Sequence, residues 1–290
     1  MVKAQIRNVD ELATPFFKLC ISTAIIDLST LFANYFGAMF PKMGFFTDFY
    51  LNLDYIYAHV YFYIAWSTGI CQAMSVSLLA TNRLSAIIIP QSYKQMWQTH
   101  RFWIAISIQF IPGMAVGLLT FFNRTQLVMN ENNGLMPQFS DKKITTIFFS
   151  IGGFFLLSNC VYLIVSYCYL FVVLRKRNKQ LSSFATNVSK TKEKVRKREK
   201  RLFTMCSIIV AVQMTILLFF ALKVARFVEL TLDEFYLFYN LLSDLFASIN
   251  PYLLWIFSDS LRKYVLWQLG LRHNSSFNNT AVVTKTVQVW

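Results

Sequence analysis

Long apolar runs, broken by short polar segments, organise this 290-residue chain. The longest, residues 56–90, opens with Ile56-Tyr57-Ala58-His59-Val60-Tyr61-Phe62-Tyr63-Ile64-Ala65-Trp66 and meets no charge before Arg83. As one helix its 35 residues would reach roughly 52 Å, against about 30 Å of hydrocarbon in a bilayer. Such a helix has to tilt or project. Five further stretches also have the roughly 20 apolar residues a crossing needs. The six predicted spans are 15–40, 56–89, 102–122, 144–174, 202–225 and 235–257. The pattern predicts an all-α, polytopic transmembrane bundle over residues 1–270, followed by a polar cytoplasmic tail at 271–290.

Composition agrees: 56% of residues are hydrophobic and 14% charged, where a soluble domain carries about 25% charge. The net charge of +14 would fit a nucleic-acid partner, but its distribution points to membrane topology. Twelve basic residues fall between 175 and 201, and with Lys3, Arg7, Lys18, Arg83, Lys94, Arg101, Arg262, Lys263, Arg272 and Lys285 they place 22 of 28 on one side. By the positive-inside rule that side is cytoplasmic, and both termini with it. The basic segment 175–201 reads as a cytosolic extension of the fourth and fifth helices that meets anionic lipid and an intracellular partner. Of four Asn-x-Ser/Thr sequons, only Asn123-Arg124-Thr125 falls outside, which makes Asn123 the glycosylation candidate.

Five cysteines (Cys20, Cys71, Cys160, Cys168, Cys206) lie within apolar runs and lack metal or disulfide-framework spacing. His59, His100 and His273 are scattered, so no metal, no cofactor and no enzyme chemistry is expected. Charge inside a bilayer costs about 2.5–3.5 kcal/mol on insertion scales and needs a partner or a hydrated cavity. Asp27 and Asp244 sit near the middles of the first and last spans. With Asn250 they are expected to form a hydrated polar cluster facing the bundle interior. Pro112 in the third span and Pro251 in the last are expected to kink or break their helices, and Gly113, Gly117, Gly152 and Gly153 to permit close helix approach. The outer half of the second span is aromatic, so ligand contacts are expected from Tyr63 and Trp66 there and from Tyr239 on the last span, around an apolar cavity.

The segment Leu79-Ala80-Thr81-Asn82-Arg83-Leu84-Ser85-Ala86-Ile87-Ile88-Ile89-Pro90, with Tyr93-Lys94-Gln95-Met96-Trp97 after it, resembles the nematode serpentine receptors of class gamma and their sister classes. The last span's Ser248-Ile249-Asn250-Pro251-Tyr252-Leu253-Leu254, followed by Ser260-Leu261-Arg262-Lys263, is similar to theirs as well. The resemblance implies a seven-helix, G-protein-coupled chemoreceptor in the plasma membrane of a sensory cilium, binding a small molecule or peptide outside and a heterotrimeric G protein inside. It places Asn82 and Arg83 at the Asp-Arg-Tyr position of rhodopsin-like receptors, and Asn82, Arg83, Tyr93 and Trp97 on the G-protein side. Asn82 replaces the acid of that motif and Leu84 its tyrosine. Leu254 stands where the Asn-Pro-x-x-Tyr motif has Tyr, so a rhodopsin-style switch does not carry over. Six spans align with the family's helices two to seven, which implies a first helix upstream of Met1 or a six-helix variant. The alternatives are a truncated, non-signalling paralogue and a transporter or channel; the latter would call for internal repeats and more intramembrane charge.

Overall fold

The computed structural model describes residues 14–129, 134–184, 189–225 and 232–268. Helix α1 (Pro15–Asn34) continues through a π-helical turn (Tyr35–Met39) into Phe40–Lys42. Then come α2 (Thr47–Ile88), a one-turn helix (Tyr93–Met96), α3 (Thr99–Leu119), the hairpin β1 (Thr125–Met129) and β2 (Leu135–Phe139), α4 (Lys142–Phe184), α5 (Ser189–Val224), α6 (Leu232–Phe257) and α7 (Asp259–Gln268). All six predicted stretches are helical. Among the described residues, four segments are long and apolar enough to cross a membrane: Pro15–Lys42, Ile56–Ile88, Thr99–Phe122 and Lys142–Lys176. In the fifth stretch the apolar part is the shorter Ser207–Leu222, and the sixth carries a polar stripe through Asn240, Ser243 and Asp244.

The surface is inside-out relative to a soluble protein. Leu28, Ile111, Phe154 and Val165 are each more than 60% exposed, while Asp27, Gln109, Gln213, Asn240 and Asn250 are buried. Apolar exterior and polar interior are what lipid outside and helix contacts inside require. Helix α4 has 43 residues, about 64 Å of rise, so its basic end extends well past the hydrocarbon. The backbone of α5 is likewise helical from Ser189. The side chains of Arg177 and Lys197 to Arg201, and the tail expected at 271–290, lie outside the described residues.

Helix α2 is the central element and packs against α1, α3 and α4. Its α3 side is an i, i+4 ridge. His59 and Tyr63 meet the Phe121 ring, Ser67 and Cys71 meet Gly113 and Gly117, and Ser75 Oγ accepts from Gln109 Nε2 at 2.6 Å. Gly113 and Gly117 are four apart on α3 and let its backbone close on α2, as small-xxx-small pairs do in membranes. On α1 the π turn loosens the regular ladder. The hydroxyls of Tyr50 and Tyr57 donate to the carbonyls of Phe36 and Gly37 within that turn.

Two features depart from the sequence reading. The all-helical expectation gains an antiparallel hairpin in the outer loop, paired from Thr125↔Phe139 to Met129↔Leu135. An isolated hairpin is marginal in water; this one is anchored by Phe139, which stacks on Phe62 (4.3 Å) and Phe148 (5.0 Å). The second departure is at Pro251, where a kink or break is expected and the helix is not broken. Helix α6 runs through that residue to Phe257 and ends at Ser258. A proline removes one backbone donor, and the neighbouring bonds carry a membrane helix past it. Ser258 then starts α7, its Oγ accepting from Leu261 N at 3.3 Å as an N-cap. Leu261 and Tyr264 of α7 pack on Phe17 of α1.

Candidate ligand cavity and polar interior

Helix α1 carries Thr23, Asp27, Thr30 and Asn34 at helical spacing, all buried. This stripe organises the interior. Asp27, 3% exposed, accepts from Gln72 Nε2 on α2 (2.8 Å) and from Asn250 Nδ2 on α6 (3.3 Å). Charge-assisted bonds of this kind hold three helices at one level. Closer to the N-terminus of α1, Ser22 donates to Gln109 Oε1 at 2.9 Å. Asp27 and Asn250 therefore meet as expected, but Asp244 belongs to a separate level: its Oδ1 accepts from Asn34 Nδ2 at 2.7 Å, and the same Nδ2 reaches Ser243 Oγ at 3.1 Å. Six residues on a helix amount to about 9 Å of rise and about 240° of rotation, so Asp244 and Asn250 cannot serve one cluster. Asn240 Nδ2, a turn before Asp244, reaches Met39 Sδ at 3.6 Å.

Beside these layers, α2, α4, α5 and α6 line a cavity of about 50 Å³. Its walls include Trp66, Gly69, Gln72, Phe220, Tyr239 and Ser243, and no charged side chain lines it among the described residues. Trp66 packs on Phe148 and Phe149, and Tyr239 stacks on Phe220 at 6.1 Å. Of the residues expected to contact ligand, Trp66 and Tyr239 line this cavity. Tyr63 does not. A three-residue step leaves two helical side chains about 60° apart, enough to turn Tyr63 onto Phe121 and Gly117 while Trp66 faces the cavity.

At the end of α2 that carries Arg83, Asn82 is 1% exposed. Its Oδ1 accepts from the Tyr93 hydroxyl at 3.2 Å. Burial pushes the Tyr93 hydroxyl above its ordinary value of 10.0, with the Asn82 bond pulling the other way, so Tyr93 stays a donor. Trp97 is buried and donates its indole N–H to Ser85 Oγ at 2.8 Å. Asn82, Tyr93 and Trp97 therefore clasp the inner loop onto the end of α2. Arg83, half-buried, lies over the Phe16 ring at 4.9 Å and reaches Met205 Sδ on α5 at 3.2 Å, a cation–π and sulfur environment. On the opposite side, Asn123 Nδ2 donates to Leu119 O at 2.8 Å and closes the end of α3, with the sequon's Thr125 buried in β1.

Sequence reasoning passed over Gln72, Gln109, Asn34 and Ser243. The stripe on α1 was a readable signal, since four polar residues at i, i+4, i+7 and i+11 in an apolar helix demand partners. Which residues answer it depends on neighbouring helices and has no local signature.

The described residues thus form a helix bundle with bonded polar layers, a hairpin and a cavity between its helices. The chain belongs to the family described as serpentine type 7TM GPCR chemoreceptor Srv, whose profile matches residues 1–271. It is 28% identical over 139 residues to Serpentine receptor class V-1 of Caenorhabditis elegans, a match covering 44% of this chain and 41% of that protein. The match thus spans less than half of that relative's length. Class V replaces the class gamma suggested by the Asn-Arg, Pro and Trp motif. That motif recurs in sister classes and does not separate them. Membership places the chain in a family of multi-pass membrane chemoreceptors.

Proposed function

We propose that this receptor binds an external small molecule in the cavity beside Trp66 and Tyr239 and signals to a cytoplasmic heterotrimeric G protein, in the plasma membrane of a sensory cilium. One observation carries the reading: a single face of α5 touches both ends of the path. Ile216 and Phe220 line the cavity, and Met205 meets Arg83. Eleven residues separate Met205 from Ile216, about 16 Å of rise with nearly no net rotation. Between them Ile209 packs in the same core as Ala73, Val76 and Ala80 of α2. A ligand that shifts α5 at Phe220 therefore changes the packing at Arg83, and it favours the state whose cavity it fits better. Asn82, Tyr93 and Trp97 hold the adjoining loop in place for the G protein, with Arg83 as the moving contact. A cavity of about 50 Å³ favours a small molecule over a peptide. Asn123 is the glycan site on the outer face.

The test is Arg83→Ala in cells expressing the receptor with a G-protein reporter, screened against a panel of small odorants. Ligand-evoked signalling should disappear with surface delivery unchanged. Intact signalling would remove Arg83 from the mechanism.

A further inference from the structure

We infer that the cavity is built for an uncharged, mainly apolar molecule carrying a hydroxyl group, bound between the side chains of Gln72 and Ser243; this rests on the receptor reading above. Size comes first. Each water-sized group needs about 10–15 Å³ on this measure, so 50 Å³ takes roughly four such groups.

Charge is excluded next. The cavity's described lining holds no charged side chain, so a carboxylate would be desolvated without a cation to meet it. An ammonium group fares no better. The nearby carboxylates, Asp27 and Asp244, already accept from amides, and neither is part of the wall.

The orientation of one amide then selects the polar group. Amide oxygen and nitrogen are assigned from their hydrogen bonds, and a carboxylate can only accept. The nitrogen of Gln72 must therefore face Asp27, where it lies 2.8 Å away. That leaves Oε1, which accepts no hydrogen bond among the described residues, as the atom Gln72 offers to the cavity. An acceptor on the wall calls for a donor on the ligand. Also on the wall, Ser243 Oγ is itself the acceptor for Asn34 Nδ2 at 3.1 Å, which leaves its proton to donate. An alcohol hydroxyl both donates and accepts, so it satisfies Gln72 and Ser243 together. A ketone of equal size satisfies Ser243 only and leaves the Gln72 oxygen unmet, and polar sites discriminate strongly against an analogue that lacks the matching group.

The test uses the full chain in phosphatidylcholine nanodiscs and four probes of equal carbon number: butanol, butanone, butanoate and butylammonium. Binding is read by saturation-transfer NMR, and nucleotide exchange on an added G protein in parallel. Butanol should bind saturably, butanone at least tenfold more weakly, and the two ions not at all. Gly69→Leu fills the cavity, since a Cβ at Gly69 meets nothing within 4 Å, and should abolish the butanol signal without disturbing the fold. Ser243→Ala should weaken butanol and butanone alike. Binding of either ion, equal affinity for alcohol and ketone, binding that survives Gly69→Leu, or no binding of any probe would overturn the inference. Alcohol binding without nucleotide exchange would instead count against the signalling reading and leave the ligand class standing.

Discussion

Gly113 and Gly69 are both helical, and alanine should act on them in opposite directions. At Gly113 a Cβ would lie 2.4 Å from the Ser67 carbonyl oxygen and 2.5 Å from Cys71 Sγ. Ordinary contact begins near 3.4 Å, and a backbone oxygen cannot rotate aside. Relief requires α3 to retreat from α2 by about 1 Å, a gap that forfeits a quarter to a half of the dispersion energy of each affected atom pair. Overpacking typically costs about 1–3 kcal/mol, and an immovable backbone obstacle belongs at the upper end. At Gly69 nothing lies within 4 Å, so alanine adds only its helix advantage of about 0.8–1 kcal/mol. Because that advantage applies at both sites, the difference between the two variants isolates the steric cost, about 3 kcal/mol. The assay is thermal denaturation of both variants in one detergent, followed with a thiol-reactive dye that reports exposure of buried Cys20 and Cys160. Gly69→Ala should melt at or above the parent and Gly113→Ala several degrees below it. Equal melting temperatures, or a more stable Gly113→Ala, would show that close α2–α3 approach does not hold the bundle.

Three further predictions address the polar layers, the inner clasp and the hairpin. Asp27→Asn turns an N–H toward one of two amide donors, Gln72 or Asn250. It should cost about 1.5–3 kcal/mol, the scale of hydrogen bonds to charged groups; an unchanged melting temperature would mean the layer does not tie the helices. Tyr93→Phe deletes the bond to Asn82 Oδ1, worth about 1 kcal/mol. Faster hydrogen exchange across residues 90–98 is expected, and unaltered exchange would rule out the clasp. Phe139→Ala removes a buried ring stacked on Phe62 and Phe148, at a cost of about 3–5 kcal/mol. The strands at 125–139 should lose their exchange protection while α2 keeps its own; retained protection would place the hairpin's anchor elsewhere.

Membrane class and six helical stretches were legible along the chain, and the distribution of basic residues predicts the inner side. Each follows from local quantities: apolar run length against bilayer thickness, and the clustering of 22 of 28 basic residues. The sequence also flagged Asp27 and Asn250, because charge and amide in an apolar run cost free energy wherever they point. Which side chains answer them depends on how the helices pack. Gln72 looks like one polar residue among many on α2 until Asp27 fixes its amide. Asp244 joins Asn34 and not Asp27 because six residues of helix separate it from Asn250 in both height and azimuth. Tyr63 and Trp66, three apart in sequence, face different neighbours because a 60° step is decisive where α3 and α4 flank α2. The hairpin escaped periodicity because its strands are short and held by aromatic stacking from distant helices. Sequence governs which groups need partners, since that is a property of each side chain against its solvent; the fold governs which partners they find, since that depends on helices brought together from far apart in the chain.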